Sequence, residues 1–276
     1  MAAAVGASAF YSLGIAVQAL DARDAPSSER LRLALAARLV RRVRWLAGTG
    51  LTLLGWPLQL AALLWASIVV VQPALAAGLL ILLAVSARML GERPRRRDAI
   101  ATVAIVAGIV LVTLAAPAPS HDHSHGARLA VALAGLAALV VAPYILGRAG
   151  RANAPVTIVG AGVGFATGGI TTALVADALH RGAWIEALAW TLATGLASGS
   201  GLLSEMSALQ QRPAIQVAPV VFTVQTVVPV ALAPWLLGAA LTEPGQGAAL
   251  CGALAVLLAG SWALTRSPAL LRLDSP

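Results

Sequence analysis

The chain consists mainly of apolar runs, each close to the length that a helix needs to cross a lipid bilayer. About 20 apolar residues cover the roughly 30 Å of hydrocarbon in a membrane. Only 11% of the 276 residues are charged, whereas a soluble domain carries about 25%. We therefore predict an all-α polytopic membrane protein in the cytoplasmic membrane. Its nine expected spans are 2–20, 46–64, 67–89, 98–116, 127–146, 155–179, 184–208, 213–237 and 246–264.

The basic residues, all of them arginine, indicate how these spans are oriented. With nine spans, all but Arg128 and Arg181 fall on one side of the membrane. Short cytoplasmic connections are the ones rich in arginine, so we predict an outside N-terminus and a cytoplasmic C-terminus. The net charge of +8 follows from this topology, and no nucleic-acid partner is expected. No basic residue precedes the first run, which we interpret as a retained span. The arginine-bearing segments are 21–45, 88–97, 148–153, 208–212 and the tail after residue 264.

Segment 27–45, SSERLRLALAARLVRRVRW, is too basic to be a span. Leu31, Leu35, Leu39 and Val43 recur every four residues, which predicts one apolar stripe along a helix. Such a helix suits the cytoplasmic headgroup plane, against anionic lipid. An ordinary basic loop that follows the topology rule is the alternative.

Glu205 is the one carboxylate well inside a run, near the end of span 184–208. Ionisable residues within membrane helices usually face the bundle interior and mark ion or proton pathways. We expect Glu205 to bind a cation or exchange a proton. The alternative is a hydrated side chain at the cytoplasmic interface.

Several glutamines interrupt the runs, and their amides could bind a polar solute or bond neighbouring helices. Two of them are favoured as solute-binding residues, because each is followed by a proline within four residues. A proline has no backbone N–H, so the carbonyl one helical turn before it loses its hydrogen-bond donor. Broken helices of this kind often hold transporter sites. The favoured pairs are Gln72 with Pro73 and Gln225 with Pro229, and the other glutamines are Gln59 and Gln216.

Gly160, Gly164 and Gly168 recur every four residues in span 155–179. This spacing allows helices to pack closely, and helix packing is the expected role. A sliding surface or a homodimer face is the alternative.

A polar loop between the fourth and fifth spans carries three alternate histidines, His121, His123 and His125. Imidazole binds zinc and copper, so the loop could hold a metal, although a closed site needs about four ligands. The chain has no nucleophile–base constellation and no phosphate-binding loop. We expect neither an enzyme nor a cofactor.

Two segments of the chain share one plan, which indicates an internal repeat. Segment 59–97 runs from a glutamine-bearing span through a proline-bearing span to LGERP. Segment 205–245 has Glu205 and a glutamine before its turn, two prolines after it, and then LTEP. An odd number of crossings separates the two endings, which is the geometry of an inverted-topology repeat.

These residues resemble the drug/metabolite transporter superfamily, with its EamA-like fold. The resemblance is carried by RWLAG (44–48), ALLWASIVVVQP (62–73) and LGER (90–93), and by SALQQRPAIQVAPVVF (207–222), LLG (236–238) and Glu243. The chain is most similar to the branch that contains the NIPA-type magnesium transporters and their bacterial relatives.

The resemblance implies two inverted repeats, at 1–116 and 127–266, joined by the outer loop 117–126 and followed by a tail at 267–276. It implies secondary transport of a small polar metabolite or a cation, with the lipid bilayer and the solute as partners. A magnesium or other divalent-cation transporter is one alternative. A non-transporting structural or regulatory membrane subunit is another.

Overall fold

The computed structural model describes residues 2–65, 75, 78–90, 95–115, 126–237 and 245–265. All regular elements within these ranges are helical. They are α1 (Ala2–Arg23), a 3₁₀ turn (Ser27–Glu29), α2 (Leu33–Leu39), α3 (Val43–Trp65), α4 (Gly78–Met89), α5 (Arg96–Ala115), α6 (Ala127–Arg148), α7 (Ala154–His180), α8 (Trp184–Leu209), α9 (Ala214–Leu237) and α10 (Gln246–Thr265).

The predicted helical class is confirmed, and the helix bounds agree with the predicted spans to within three residues wherever the whole span is described. For the predicted span 67–89, the structure describes the helical part from Gly78 onward. Such apolar helices are typical of a membrane protein. Within the described part of the chain, four segments are long and apolar enough to cross a membrane by length and composition: Val5–Arg23, Ala127–Arg148, Ala154–Thr172 and Gln246–Leu264.

The helices pack in pairs around α9. Helix α1 packs on α3 and α4, α7 packs on α6 and α8, and α5 packs on α10. Helix α9 contacts α4, α5, α6, α7, α8 and α10. Glycines allow the closest approaches: a methyl group on Gly14 of α1 would lie 2.7 Å from the carbonyl oxygen of Gly48 in α3. Only glycine permits this crossing distance.

Helices α6 and α10 face outward, with only 22% of their apolar segments buried in each case. Large apolar side chains such as Val131, Leu139 and Ile145 of α6 are exposed. A continuous apolar surface of this kind is unfavourable in water and matches lipid.

Three arginine-bearing connections meet at one end of the bundle. The backbone N–H of Leu31, after α1, donates to Ser207 Oγ at the end of α8 over 3.0 Å. Gln211 Nε2, after α8, lies 3.4 Å from Thr157 Oγ1 in the first turn of α7. We call this side, formed by residues 23–45, 148–153 and 210–213, the arginine-rich end.

Segment 27–45 differs from the predicted single amphipathic helix. Leu31, Leu35 and Leu39 are buried, as the stripe predicts, but they pack against the protein rather than lipid. Val43 is 80% exposed, so its predicted place in the stripe is wrong. Helix α2 ends at Leu39 and the chain turns before α3 begins, which resets the four-residue period. Trp45 is buried instead.

Candidate functional site

Glu205 lies one turn before the end of α8, at the arginine-rich end. The residue is only 3% exposed. Among the described residues, no hydrogen bond or ion pair reaches its carboxylate. The structure therefore buries Glu205 against the protein and also places it close to the end of its helix, where the alternative of a hydrated side chain locates it.

The connection between α1 and α3 packs against the last turns of α8, next to Glu205 along the chain. We call residues 25–45 the cover. Its Trp45 Nε1 donates to Met206 Sδ at 3.4 Å, and its Leu31 N–H donates to Ser207 Oγ. Gln210 Nε2 lies 3.5 Å from the carbonyl oxygen of Ala25. These contacts involve the residues that follow Glu205 along α8, so the cover excludes solvent from that turn.

Leu31 is the point at which the cover is fixed to α8. Its φ of 54° is the one positive value at a non-glycine residue within the described ranges. A left-handed backbone costs an L-residue roughly 1–2 kcal/mol. The buried hydrogen bond to Ser207 and the burial of the Leu31 side chain, which is 8% exposed, offset that cost.

Four further polar side chains lie buried near the same end: Asp21, Ser86, Asp98 and Gln216, each at most 3% exposed. Each has at least one polar atom with no partner within the described ranges. Native interiors pair nearly all such atoms. They occupy the turns of α1, α4, α5 and α9 next to the arginine-bearing connections, which makes this region unusually polar for a bundle interior.

The two carboxylates in this set are partly engaged. Asp21 Oδ1 accepts a hydrogen bond from Arg44 at 2.9 Å, while Oδ2 has no partner among the described residues. Asp98 Oδ2 accepts the backbone N–H of Arg95 at 3.0 Å, a helix cap for α5. The predicted spans leave Asp21 just outside 2–20 and put Asp98 at the start of 98–116, and the burial of both residues is not predicted. Gln18, three residues before Asp21 on the same helix face, was the available signal.

The predicted glutamine sites have separate outcomes. Gln216 is 2% exposed and buried near the arginine-rich end, whereas Gln225 is partly exposed further along α9. Nine residues separate them, which corresponds to about 13 Å along the axis and opposite faces of the helix. Helix α9 is continuous through Pro229, so the predicted break in this helix is wrong.

Gln59 lies in α3 with its side chain outside the described part, and Gln72 and Pro73 lie outside the described residues altogether.

The predicted glycine stripe faces neighbouring helices of the same chain. Gly160 lies against Pro143 of α6, and Gly168 lies against Ser198 of α8. A methyl group on Gly164 would be 2.6 Å from the Cα atom of Gly201 in α8. Because α6 and α8 occupy this stripe, it is not available to a second copy of the chain.

The predicted histidine loop, with His121, His123 and His125, lies outside the described residues. Within the described ranges, no group of three or more His, Cys, Asp or Glu side chains is placed to hold a metal ion.

Comparison with protein-family models gives no match, and no curated protein or solved structure matches the chain.

Proposed function

We propose that the protein is a secondary transporter or facilitator of a small polar metabolite or cation, in which Glu205 carries the ion or proton. The observation behind this proposal is a buried carboxylate on an apolar helix, without a counter-charge among the described residues. Ionisable groups are expensive inside membrane helices and mark functional pathways by default. The charge of an arriving cation, or a proton, would neutralise this carboxylate.

The helix contacts support the inverted-repeat part of the proposal. In the predicted repeats, α4 corresponds to α9 and α5 corresponds to α10. Each helix contacts its own counterpart, α4 with α9 and α5 with α10. Self-pairing of equivalent elements is expected where a two-fold axis relates two halves. Transporter sites lie at such repeat interfaces.

The meeting of three arginine-bearing connections at one end supports the proposed orientation. With the N-terminus outside, the arginine-rich end faces the cytoplasm. The cover then closes the cytoplasmic side of the path past Glu205, and release of a solute to the cytoplasm requires the cover to separate from α8.

Gln225 is the second proposed solute contact. Pro229 has no backbone N–H, so it cannot donate the usual α-helical hydrogen bond to the carbonyl of Gln225, four residues earlier. Gln225 therefore offers its side-chain amide and a backbone carbonyl at the same position in α9. Both groups can bind a polar solute or replace part of an ion's hydration shell.

Uptake into proteoliposomes tests the proposal, with separate screens of monovalent cations, divalent cations, amino acids and amines. Glu205→Gln keeps the shape of the side chain but removes its charge, and we expect it to abolish uptake of the transported solute. Gln225→Ala should reduce uptake strongly. The matched control is Glu186→Gln, on the same helix, where the carboxylate is ion-paired with Arg181 at 3.0 Å and partly exposed. It should retain uptake.

Uptake that survives Glu205→Gln unchanged would refute the role of this carboxylate. If no solute class enters the vesicles, the alternative of a non-transporting subunit is favoured. The screen of divalent cations tests the alternative of a magnesium transporter, whose ion prefers carboxylate oxygens as ligands.

A further inference from the structure

A groove of about 440 Å³ opens at the arginine-rich end, between the cover and the ends of α6 and α8. Arg30 and Arg32 of the cover line one side, and Arg148, the last residue of α6, lines the other. Leu33, Tyr144 and Leu203 contribute an apolar wall. Three arginines from two separate parts of the chain thus line one space.

The charge in this groove is not balanced by the residues that line it. Among the described residues that line it, none is a carboxylate. The Nε atom of Arg30 is buried without a partner among the described residues, and burial lowers the pKa of the Arg30 guanidinium below its usual value. An anion placed in the groove would offset this desolvation.

A second groove on the cover provides a contrast. It is lined by Arg38, Arg41 and Arg42 together with Glu29, and Arg38 donates two hydrogen bonds to the Glu29 carboxylate. Part of its positive charge is therefore already neutralised within the chain. The groove at Arg148 has no such anion among its described lining residues.

The surface that leads to the groove is apolar. Helix α6 is largely unburied, and Val141 and Ile145, in its last two turns, are 48% and 61% exposed. Leu33, on the cover, is 80% exposed at the groove itself. A ligand that fits both surfaces has an anionic head for the arginines and hydrocarbon chains for α6.

We propose that this groove binds the phosphate headgroup of an anionic phospholipid, with the acyl chains lying along α6. Basic pockets between membrane helices on the cytoplasmic side recognise such headgroups, and arginine forms bidentate contacts with phosphate. The bound phosphate would join Arg30 and Arg32 to Arg148, and so hold the cover against the bundle beside the Leu31–Ser207 hydrogen bond. The proposal does not depend on whether the chain transports a solute.

The test is a lipid titration of the purified full chain in detergent, with bound lipid counted by native mass spectrometry. Phosphatidylglycerol is the anionic probe and phosphatidylcholine is the zwitterionic one. Glycerol 3-phosphate supplies the same phosphate chemistry without acyl chains. We expect tight binding of phosphatidylglycerol alone, weakened about fivefold for each groove arginine removed.

Arg148→Gln is the main variant, because its exposed side chain makes misfolding an improbable cause of lost binding, and Arg30→Gln is the second. The matched control is Arg41→Gln, which removes the same charge from the cover outside this groove and should change the affinity less than twofold. Equal losses for Arg41→Gln and Arg148→Gln would show diffuse attraction and overturn the site. Equal binding of phosphatidylcholine, or full displacement by glycerol 3-phosphate, would overturn the assignment to an anionic lipid.

Discussion

The close crossing of α7 and α8 gives a quantitative prediction. A Cβ atom on Gly164 would lie 2.6 Å from the Cα atom and 2.8 Å from the backbone nitrogen of Gly201, and 3.0 Å from the carbonyl oxygen of Ala197. All three neighbours are backbone atoms, which cannot move aside by changing a side-chain rotamer. Gly164→Ala must therefore push α8 away from α7.

The size of the effect follows from two terms. Overpacking a close contact costs about 1–3 kcal/mol, while replacing glycine by alanine inside a helix gains about 1 kcal/mol. Gly169 lies on the same helix, and a methyl group there would meet nothing within 4 Å. The helix term is common to Gly164→Ala and Gly169→Ala, so the difference of about 1–3 kcal/mol between them isolates the clash. It corresponds to roughly 2–10 °C in Tm.

Thermal unfolding of the two variants in one detergent, followed by tryptophan fluorescence, measures this difference. Gly201→Ala supplies an intermediate point, since its methyl group would lie 3.1 Å from the carbonyl oxygen of Ala161. We expect Tm to fall in the order Gly169→Ala, Gly201→Ala, Gly164→Ala. A Gly164→Ala protein as stable as Gly169→Ala would refute the close crossing.

Three smaller predictions concern the arginine-rich end. Arg44→Ala should lower the free energy of unfolding by about 1–2 kcal/mol, because it removes the hydrogen-bond partner of the Asp21 carboxylate, which is 1% exposed, while the arginine itself is 58% exposed. Adding Asp21→Asn should restore part of the lost Tm. A double variant with no recovery would contradict the pairing. Tyr144→Phe removes hydrogen bonds to two residues of α8 and should lower stability by about 1–2 kcal/mol in the same assay; an unchanged Tm would contradict them. Arg38 holds the pKa of Glu29 below its usual value, chiefly through their hydrogen bonds. The contribution of this pair to folding stability is therefore present above the ordinary pKa of a glutamate and is lost as pH falls through the lowered pKa. Arg38→Ala should return the ¹³C-detected titration of Glu29 to higher pH, and a titration that does not move would contradict the pairing.

The sequence predicts the helix bounds well because the ends of each apolar run are a local property of the sequence. It does not predict the contact between Leu31 and Ser207 beside Glu205, because these two residues are 176 positions apart. Periodicity is a local signal, and it fails at Val43 because it contains no information about the turn after α2. The close approach of α7 to α8 is predicted in part. The glycine spacing indicates a packing face, but which helix packs against that face depends on the tertiary structure.

The glycine contacts also determine which parts of the molecule can move independently. At Gly164, the backbones of α7 and α8 are in direct contact. A methyl group on Gly162 would lie 3.1 Å from the carbonyl oxygen of Val221 in α9. Helices α7, α8 and α9 thus form one stiff unit that carries both Glu205 and Gln225. Under the proposed function, a change of shape would therefore move the surroundings of this unit, including the cover, relative to Glu205 and Gln225 together.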